Sequence, residues 1–148
     1  MGSEPVFGII IHKDIRLLCT SERLKTFEAW PNEVDCKCTP EKLAEAGFYF
    51  HPCKESPDNV CCVFCDKELD GWEPDDDPML EHKKHSKKCP YLAMPQPFSP
   101  QNLTIREFWQ FIQNITLENF SNQVKKEENK CLDYAASIQE AIRKHVLG

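Results

Sequence analysis

Four potential metal ligands are the residues of this chain best suited to do chemistry. Two residues separate Cys62 from Cys65, and His82 and Cys89 follow further along the chain. Three thiolates and one imidazole suit a tetrahedral zinc ion, and a Cys-x-x-Cys turn lets two sulfur atoms reach the same ion. Because four protein ligands leave no open coordination position, the spacing predicts a structural zinc site whose binding energy contributes to folding.

The remaining cysteines and histidines leave alternatives to this assignment. A disulfide framework is disfavoured because nine is an odd number of cysteines and the N-terminus does not look like a secretory signal. His85 is a rival ligand, since it lies one helical turn after His82. Cys36, Cys38 and Cys53 are expected to be buried thiols, which pack as small apolar groups.

Charge is distributed unevenly along the chain. The formal net charge is −6, and residues 66–81 contain eight acidic side chains and one basic side chain. This acidity argues against nonspecific binding to nucleic acid or to an anionic membrane, because both need a positive field. An acidic stretch is usually only a solvated loop, so it does not by itself define a binding site.

Short elements are predicted to position the four ligands. Thr39 can accept a backbone hydrogen bond as a helix N-cap, Pro40 suits the first helical position, and Gly47 tolerates the conformation that follows a helix end. The sequence predicts an α+β domain in which short helices surround a small three-stranded antiparallel sheet. Helices are predicted over 22–36, 40–46 and 81–88, strands over 48–50, 60–64 and 68–72, and an extended connector over 90–102.

The C-terminal part is predicted to be one long helix. All eleven prolines lie at or before Pro100, and Thr104 with Glu107 forms a capping box. A helix over 104–146 would be about 65 Å long, too long for a small domain to cover, so its distal part should pack against a helix of a partner or of a second copy. Its apolar residues fall on two faces, with Ile105, Phe108, Ile112 and Ile115 on the first, and Leu117, Phe120, Val124, Cys131, Ile138 and Ile142 on the second.

The four ligands belong to a longer set of motifs. These are Arg23-x3-Phe27-x2-Trp30-Pro31, Thr39-Pro40-Glu41-x2-Ala44-x-Ala46-Gly47-Phe48, and the segment from Gly71-Trp72 to His85. Together they resemble a baculoviral inhibitor-of-apoptosis repeat (BIR), and a single repeat followed by a long helix is similar to the single-repeat members of the inhibitor-of-apoptosis family. The resemblance divides the chain into an N-terminal extension (1–20), a zinc-binding BIR domain (21–92), a proline-rich linker (93–103) and the long helix (104–147).

The resemblance implies a peptide-binding groove beside the metal site. In this family the positions of Cys62, Cys65, His82 and Cys89 bind one structural zinc ion. The groove accepts the N-terminus of a partner that begins with Ala, as an added strand at the sheet edge. The implied groove residues are Asp70 and Asp76 for the ammonium or a following Arg, Trp72 for the Ala pocket, Leu69 for strand contacts, and Lys67 and His85 for a phosphate on the third peptide residue.

The resemblance also implies partners for the long helix. In such proteins the helix forms a three-helix bundle with one helix each from borealin and the inner centromere protein. The implied bundle contacts are Leu117, Phe120, Val124, Cys131, Ile138 and Ile142, and the implied homodimer contacts are Phe98, Ile105, Phe108 and Trp109. The alternative is that the apolar residues of the helix fold back on the repeat within one chain.

The functional expectation is a non-enzymatic interaction subunit of the chromosomal passenger complex. It would bind a phosphorylated core-histone tail and place an Aurora-type kinase at centromeres and later at the spindle midzone and midbody, in a protein otherwise of the cytoplasm and nucleus. The alternative is inhibition of apoptosis through capture of Ala-initiated pro-apoptotic peptides or of caspases. Thr39, followed by Pro40, is also expected to be a cyclin-dependent kinase site.

Overall fold

The computed structural model describes residues 14–31 and 35–147, so most of the expected N-terminal extension lies outside the described residues. The observed architecture is the predicted α+β arrangement, a three-stranded antiparallel sheet with short helices and one long C-terminal helix. The elements are α1 (Thr20–Lys25), α2 (Pro40–Glu45), β1 (Phe48–Phe50), β2 (Val60–Cys62), β3 (Glu68–Leu69), α3 (Pro78–His85) and α4 (Ile105–Leu147), with 3-10 turns at Ile15–Leu18, Thr26–Ala29, Pro90–Ala93 and Pro100–Asn102.

The sheet places β2 at its centre and β3 at one edge. Phe48 of β1 pairs with Cys62, and Val60 pairs with Leu69 of β3. The predicted strands over 60–64 and 68–72 are too long. The chain leaves β2 at Cys62 to form a turn in which Cys62 N–H donates to the Lys67 carbonyl and Asp66 N–H donates to the Cys62 carbonyl. The metal-ligand turn therefore replaces the second half of the strand.

The helix predicted over 22–36 is also wrong in extent. The α-helix ends at Lys25 and continues as the 3-10 turn Thr26–Ala29, after which Trp30 is extended. The hydroxyl of Thr26 donates to the Arg23 carbonyl and accepts from the Phe50 N–H, so it ties the end of α1 to β1. This hydrogen bond to the sheet ends the regular helix, and no local pattern in the sequence predicts the bond.

The caps of the next two helices explain where each begins. Thr39 is the N-cap of α2, as predicted, and its hydroxyl accepts from the Lys42 N–H. The third helix, predicted over 81–88, instead spans Pro78–His85 because Asp77 Oδ1 accepts from the backbone N–H groups of Met79 and Leu80. An Asp-Pro pair at a helix start is a recognisable signal, so this boundary was available in the sequence.

The core of the domain is a stack of aromatic rings beside the metal ligands. The rings of Phe64 and Tyr91 stack with centroids 4.4 Å apart, and the Phe98 ring packs edge-on against both. Gly47 has φ +94°, and a Cβ atom there would lie 3.1 Å from the Tyr91 ring. Glycine is therefore required at this helix end by backbone conformation and by packing.

A buried guanidinium joins the N-terminal elements to this core. Arg23 is completely inaccessible to solvent, and it donates to the backbone carbonyls of Leu17, Leu18 and Ala44. Its charged group lies 5.3 Å from the centroid of the Phe64 ring. Burial lowers the pKa of Arg23 from its ordinary value, yet an arginine keeps its proton at any ordinary pH. The side chain thus fixes the start of α1 against the end of α2.

The long helix docks on the domain through its first part only. Phe111, Ile112 and Ile115 are buried in the same core as the aromatic stack. The side-chain amide of Asn122 then donates to the Cys65 carbonyl, at 3.1 Å. From residue 123 to residue 146 every side chain is exposed. Among the described residues, no helix combines the length and the apolar character that a membrane crossing requires.

Candidate metal centre and peptide groove

The four predicted metal ligands converge on one point. Cys62 comes from the end of β2, Cys65 from the following turn, His82 from α3, and Cys89 from the segment after it, and all four are buried. Their ligand atoms lie within 4.8 Å of one another, with Cys62 Sγ 3.9 Å from Cys89 Sγ and Cys65 Sγ 3.5 Å from His82 Nε2. A tetrahedral ion with zinc-like bond lengths needs about 3.8 Å between two sulfurs and about 3.5 Å between sulfur and nitrogen. The geometry fits a single tetrahedral metal ion.

Hydrogen bonds around the cluster orient its ligands. The Nδ1 atom of His82 lies 2.7 Å from the Ala46 carbonyl, a geometry in which Nδ1 carries the proton and Nε2 faces the sulfurs as a free ligand. The Phe64 N–H and the Ser86 hydroxyl donate to the sulfurs of Cys62 and Cys65. These donors stabilise negative charge on sulfur, which is the form that binds a metal.

The sulfurs differ in their preference for the charged form. Burial raises the pKa of the Cys62 thiol well above its ordinary value. The pKa of Cys65 is far below its ordinary value because Cys62 and Cys89 donate hydrogen bonds to its sulfur, with smaller contributions from His82 and Ser86. A divalent cation would draw all three sulfurs into the thiolate form and release protons, so metal binding at this cluster depends on pH.

The other cysteines and the rival histidine lie elsewhere. His85 is outside the cluster and its Nε2 lies 3.2 Å from Glu81 Oε2. The expectation of three buried thiols is wrong for two of the residues and incomplete for the third. Cys53 is exposed, Cys36 is only half-buried, and Cys36 forms a disulfide with the buried Cys38. No spacing rule distinguishes this Cys-x-Cys pair from free thiols.

The predicted groove residues lie along the edge strand and the loop after it. Leu69 is half-buried in β3, and Asp70 is exposed at the end of that strand, where it accepts from the Ser56 hydroxyl. Trp72 is half-buried, its ring packs against Phe48, and its buried Nε1 has no hydrogen-bond partner among the described residues. The carboxylate of Asp76 accepts from the Glu73 N–H, which folds the acidic loop into a turn.

The two remaining groove residues, Lys67 and His85, line one cationic cavity of about 340 Å³. The long helix contributes Lys126 to the same cavity. None of the salt bridges formed within residues 14–31 and 35–147 involves its four lysines. Because the four lysines outnumber the two carboxylates of the lining, Asp66 and Glu118, the cavity carries a net positive charge. Its lining is Cys65, Asp66, Lys67, His85, Ser86, Lys87, Lys88, Glu118, Asn122 and Lys126.

The residues expected at a homodimer interface divide into two groups. Phe98 is buried within the chain and packs against Phe111, so it is committed to the core, and Phe108 is half-buried beside it. Ile105 and Trp109 are exposed, Ile105 to 90%. The fold-back alternative thus describes the first part of α4. Phe111, which lies on the docked face, was not singled out from the sequence.

The residues expected to contact partner helices all lie at the surface of the long helix. Their side chains include large apolar groups, which monomeric proteins do not usually leave in one continuous stripe. A stripe of this kind is typical of a surface that binds another protein. The exposed residues are Leu117, Phe120, Val124, Cys131, Ile138 and Ile142.

Comparison with known proteins defines the class of the domain and then its family. Residues 23–93 match the Inhibitor of Apoptosis (BIR) domain. Baculoviral IAP repeat-containing protein 5.2-B of Xenopus laevis is 42% identical over 131 residues, which cover 88% of this chain and 80% of that protein. Baculoviral IAP repeat-containing protein 5 of Mus musculus is 42% identical over 114 residues, covering 77% of each chain.

A solved structure of the DIAP1 BIR1 domain bound to a Grim peptide is 37% identical, with a TM-score of 0.43 over 53% of this chain and 72% of that one. The chain belongs to the BIR-containing inhibitor-of-apoptosis family, in the branch of Baculoviral IAP repeat-containing protein 5 (survivin).

Proposed function

We propose that this chain is a non-enzymatic interaction subunit of the chromosomal passenger complex. Its BIR groove binds an Ala-initiated histone tail that is phosphorylated on the third residue, and its long helix binds borealin and the inner centromere protein. Through these contacts it brings an Aurora-type kinase to centromeres and later to the spindle midzone and midbody, and otherwise it is a protein of the cytoplasm and nucleus. The proposal starts from the family and is supported by two separate surfaces of the molecule.

The first surface is the free edge of the sheet at β3. An extended peptide can add to such an edge through main-chain hydrogen bonds, while pockets beside it select side chains. The half-buried Trp72, whose Nε1 is unpartnered among the described residues, would form the wall of a small pocket. Asp70 and Asp76 supply negative charge for the ammonium group of the peptide. These features support binding of a free N-terminus.

Opposite charges at the two ends of β3 carry the argument for a phosphorylated tail. Lys67 precedes the strand and lines the cationic cavity with His85, whereas Asp70 follows the strand. Lys67 and Asp70 are three residues apart, which corresponds to about 10 Å in an extended chain. The first and third residues of an extended peptide are about 7 Å apart, and their side chains extend the reach. A peptide with an ammonium at one end and a phosphate on its third residue matches this polarity.

The metal-ligand cluster joins the two elements that carry the groove residues. We propose that the ion is zinc, because three sulfurs and one nitrogen in a tetrahedral arrangement are its preferred ligand set. Cys62 and Cys65 hold the turn from which β3 starts, and His82 holds α3, which carries His85. The ion would therefore fix both halves of the groove while taking no part in a reaction.

The second surface is the exposed stripe on the distal part of α4. Val124, Cys131 and Ile138 repeat every seven residues, a period that suits packing against other helices in a bundle. Co-expression with one helix from each scaffold protein should give a stable complex, and Ile138→Asp should prevent its assembly. Gln139→Asp places the same charge about 100° around the helix and should still assemble. Assembly of the Ile138→Asp protein would exclude this stripe as the surface that binds the scaffold helices.

Exposed Ile105 and Trp109 provide a further surface near the domain. We propose that they contribute to a homodimer in the absence of scaffold helices. Sedimentation should then show a dimer that is weakened by Ile105→Asp, while Arg106→Asp at the adjacent helix position leaves it unchanged.

Calorimetric titration tests the groove. An Ala-Arg-phosphoThr tail should bind at least about tenfold more tightly than its unphosphorylated form, since a charge-assisted hydrogen bond is worth about 1.5–3 kcal/mol. Lys67→Met should remove this preference but retain binding of the unphosphorylated peptide, and Asp76→Ala should weaken both. Equal affinities for the two peptides in the wild-type protein would contradict recognition of the phosphate.

Inhibition of apoptosis is the second candidate, and membership of the inhibitor-of-apoptosis family favours it. Capture of Ala-initiated pro-apoptotic peptides, or of caspases, would use Asp70, Trp72 and Asp76 without the cationic cavity. An unphosphorylated pro-apoptotic peptide that binds more tightly than the phosphorylated histone tail, and whose binding is unaffected by Lys67→Met, would favour this function. Phosphorylation of Thr39 remains a prediction, to be tested by mass spectrometry of protein from mitotic cells.

A further inference from the structure

The Cys36–Cys38 disulfide lies against the loop that carries the acidic groove residues. We propose that this pair is a reversible dithiol–disulfide site that controls the order of the acidic loop (residues 73–77). Only Lys37 separates the two cysteines, so the bond closes a very small ring and restricts the unfolded chain little. Its effect is therefore expected to be local to the loop, with little influence on the stability of the whole domain.

Four contacts connect the Cys36–Lys37–Cys38 segment to the acidic loop. The sulfurs of Cys36 and Cys38 lie 3.9 Å and 3.6 Å from the same Glu73 carbonyl oxygen. Lys37, which lies between the two cysteines, donates its backbone N–H to the Pro74 carbonyl at 2.7 Å. Its Nζ atom lies 3.1 Å from Asp75 Oδ1. The position of the acidic loop is thus coupled to that of the Cys-x-Cys segment by contacts with the loop backbone and by one surface ion pair.

The disulfide can be reached by a small molecule. Cys36 is half-buried, and both sulfur-bearing residues line a hollow of about 310 Å³ that is shared with Trp30, Asp58 and Trp72. The metal-binding thiols, in contrast, are all buried. A low-molecular-weight thiol or disulfide can therefore exchange with Cys36 more readily than with the metal cluster.

The proposed exchange uses glutathione as its redox partner. The Cys36 thiolate attacks one sulfur of glutathione disulfide, which forms a mixed disulfide and releases one glutathione thiolate. The Cys38 thiolate then attacks the Cys36 sulfur and releases the second glutathione. In total the two protein thiols lose two electrons and two protons, and glutathione disulfide becomes two molecules of reduced glutathione. Excess reduced glutathione reverses both steps.

Reduction changes the contacts with the loop for a simple steric reason. Bonded sulfurs are about 2 Å apart, whereas two free thiols must separate to a non-bonded distance. Both sulfurs face one carbonyl oxygen, so the two thiols cannot keep their present positions beside Glu73. The Lys37 N–H bond to Pro74 lies between them, and we expect it to lengthen as the segment shifts. We expect the reduced form to hold the loop less firmly.

Thiol trapping on the zinc-loaded full chain tests the chemistry. The protein is equilibrated at a series of ratios of reduced to oxidised glutathione, free thiols are alkylated, and each cysteine is quantified by mass spectrometry. Cys36 and Cys38 should gain or lose two alkyl groups together, with intermediate occupancy at some ratio, while the single exposed thiols of Cys53 and Cys131 form no intramolecular disulfide. A pair that is fully alkylated at every ratio, or cross-linked at every ratio, would overturn the proposal.

Hydrogen exchange tests the effect on the loop. The amides of Glu73, Asp75, Asp76 and Asp77 should exchange at least about threefold faster in the reduced protein, and the Cys36→Ser/Cys38→Ser variant should exchange at the reduced rate under both conditions. Cys53→Ser is the matched control and should behave as wild type. Equal loop exchange in both redox states would contradict control of the loop even if the pair cycles.

The link to the groove rests on the proposed function and has a separate readout. Reduction should weaken binding of the phosphorylated tail severalfold in the wild type and should have no effect in the double-serine variant. If neither redox form binds the tail while alkylation and exchange behave as expected, the proposed function fails and the redox site stands. Tail binding that is identical in both forms would exclude coupling between the pair and the groove.

Discussion

The BIR domain and the distal part of α4 are stabilised in opposite ways. The domain buries its metal ligands, its aromatic stack and even a charged Arg23, whereas every residue from 123 to 146 is exposed. Ion pairs such as Glu127 with Lys130 stabilise the distal helix by only a few tenths of a kcal/mol each. The domain therefore has a core and a metal-ligand cluster of its own to stabilise it, whereas the distal helix has few stabilising contacts within this chain.

Loss of the metal should have the largest effect, because it should destabilise the BIR domain and leave the distal helix without a packed domain at its base. Structural zinc contributes about 10 kcal/mol or more, as much as the whole stability of a typical domain. Cys89→Ser, or treatment with a strong chelator, should therefore abolish the near-ultraviolet circular dichroism of the packed aromatic rings and stoichiometric zinc binding. Cys53→Ser removes an exposed thiol and should retain both signals. Persistence of the packed-ring signal after chelation would show that the core is independent of the metal.

Removal of the buried guanidinium should have the next largest effect. Arg23→Met leaves the carbonyls of Leu17, Leu18 and Ala44 without their donor, and each unpaired buried group costs about 1–3 kcal/mol. We expect the free energy of unfolding in urea to fall by about 3–5 kcal/mol. Arg16→Met, at an exposed position, should change it by less than about 0.5 kcal/mol. Similar losses of unfolding free energy in the two variants would contradict a stabilising role for the buried Arg23 side chain.

Matched substitutions on α4 sharpen the boundary between its docked and exposed parts. Ile112→Ala should lower the free energy of unfolding by about 2–5 kcal/mol because it opens a cavity in the shared core. Ile138→Ala should change the stability of the isolated chain by no more than about 0.5 kcal/mol. A large effect of Ile138→Ala without scaffold helices would mean that the distal part is covered by a second copy.

The smallest expected effect concerns the start of the same helix. Hydrogen bonds from the Thr104 hydroxyl and N–H hold the pKa of Glu107 below its ordinary value of 4.5. The capping bond therefore stabilises the helix start fully above pH 4.5, and its contribution is lost as the pH falls through the lower pKa of the folded protein. An NMR titration should place the Glu107 midpoint below 4.5, and Thr104→Ala should return it toward that value. An unchanged midpoint in the variant would exclude the capping box as the cause.

Local signals made much of the fold and the metal cluster predictable. Cap residues such as Thr39 and Thr104 act on backbone groups a few residues away, so their effects are visible in the sequence. The spacing of the Cys and His residues likewise reflects one turn and one helix. The strand ends were not predictable in the same way, because the Cys62–Lys67 turn replaces residues that strongly favour β structure.

Features that depend on docking of α4 were beyond local reasoning. Phe111 lies three residues after Phe108 and four before Ile115, so the pattern contained the signal for its buried face. Nothing in the sequence, however, places Lys126 next to Lys67 and His85, because that proximity exists only once the helix lies against the metal-ligand turn. The Cys36–Cys38 bond was missed because Cys-x-Cys spacing is compatible with free thiols and with a disulfide alike.

The hydrogen bond from Asn122 to the Cys65 carbonyl fixes the point from which the exposed part of α4 extends. Residues 123–146 extend about 36 Å beyond this bond, so a rotation of 10° at the bond would move the far end by about 6 Å. The pivot is the carbonyl of a residue in the metal cluster. The direction of the distal helix is therefore set by the docking of its first part and by this bond to a residue of the metal-ligand cluster.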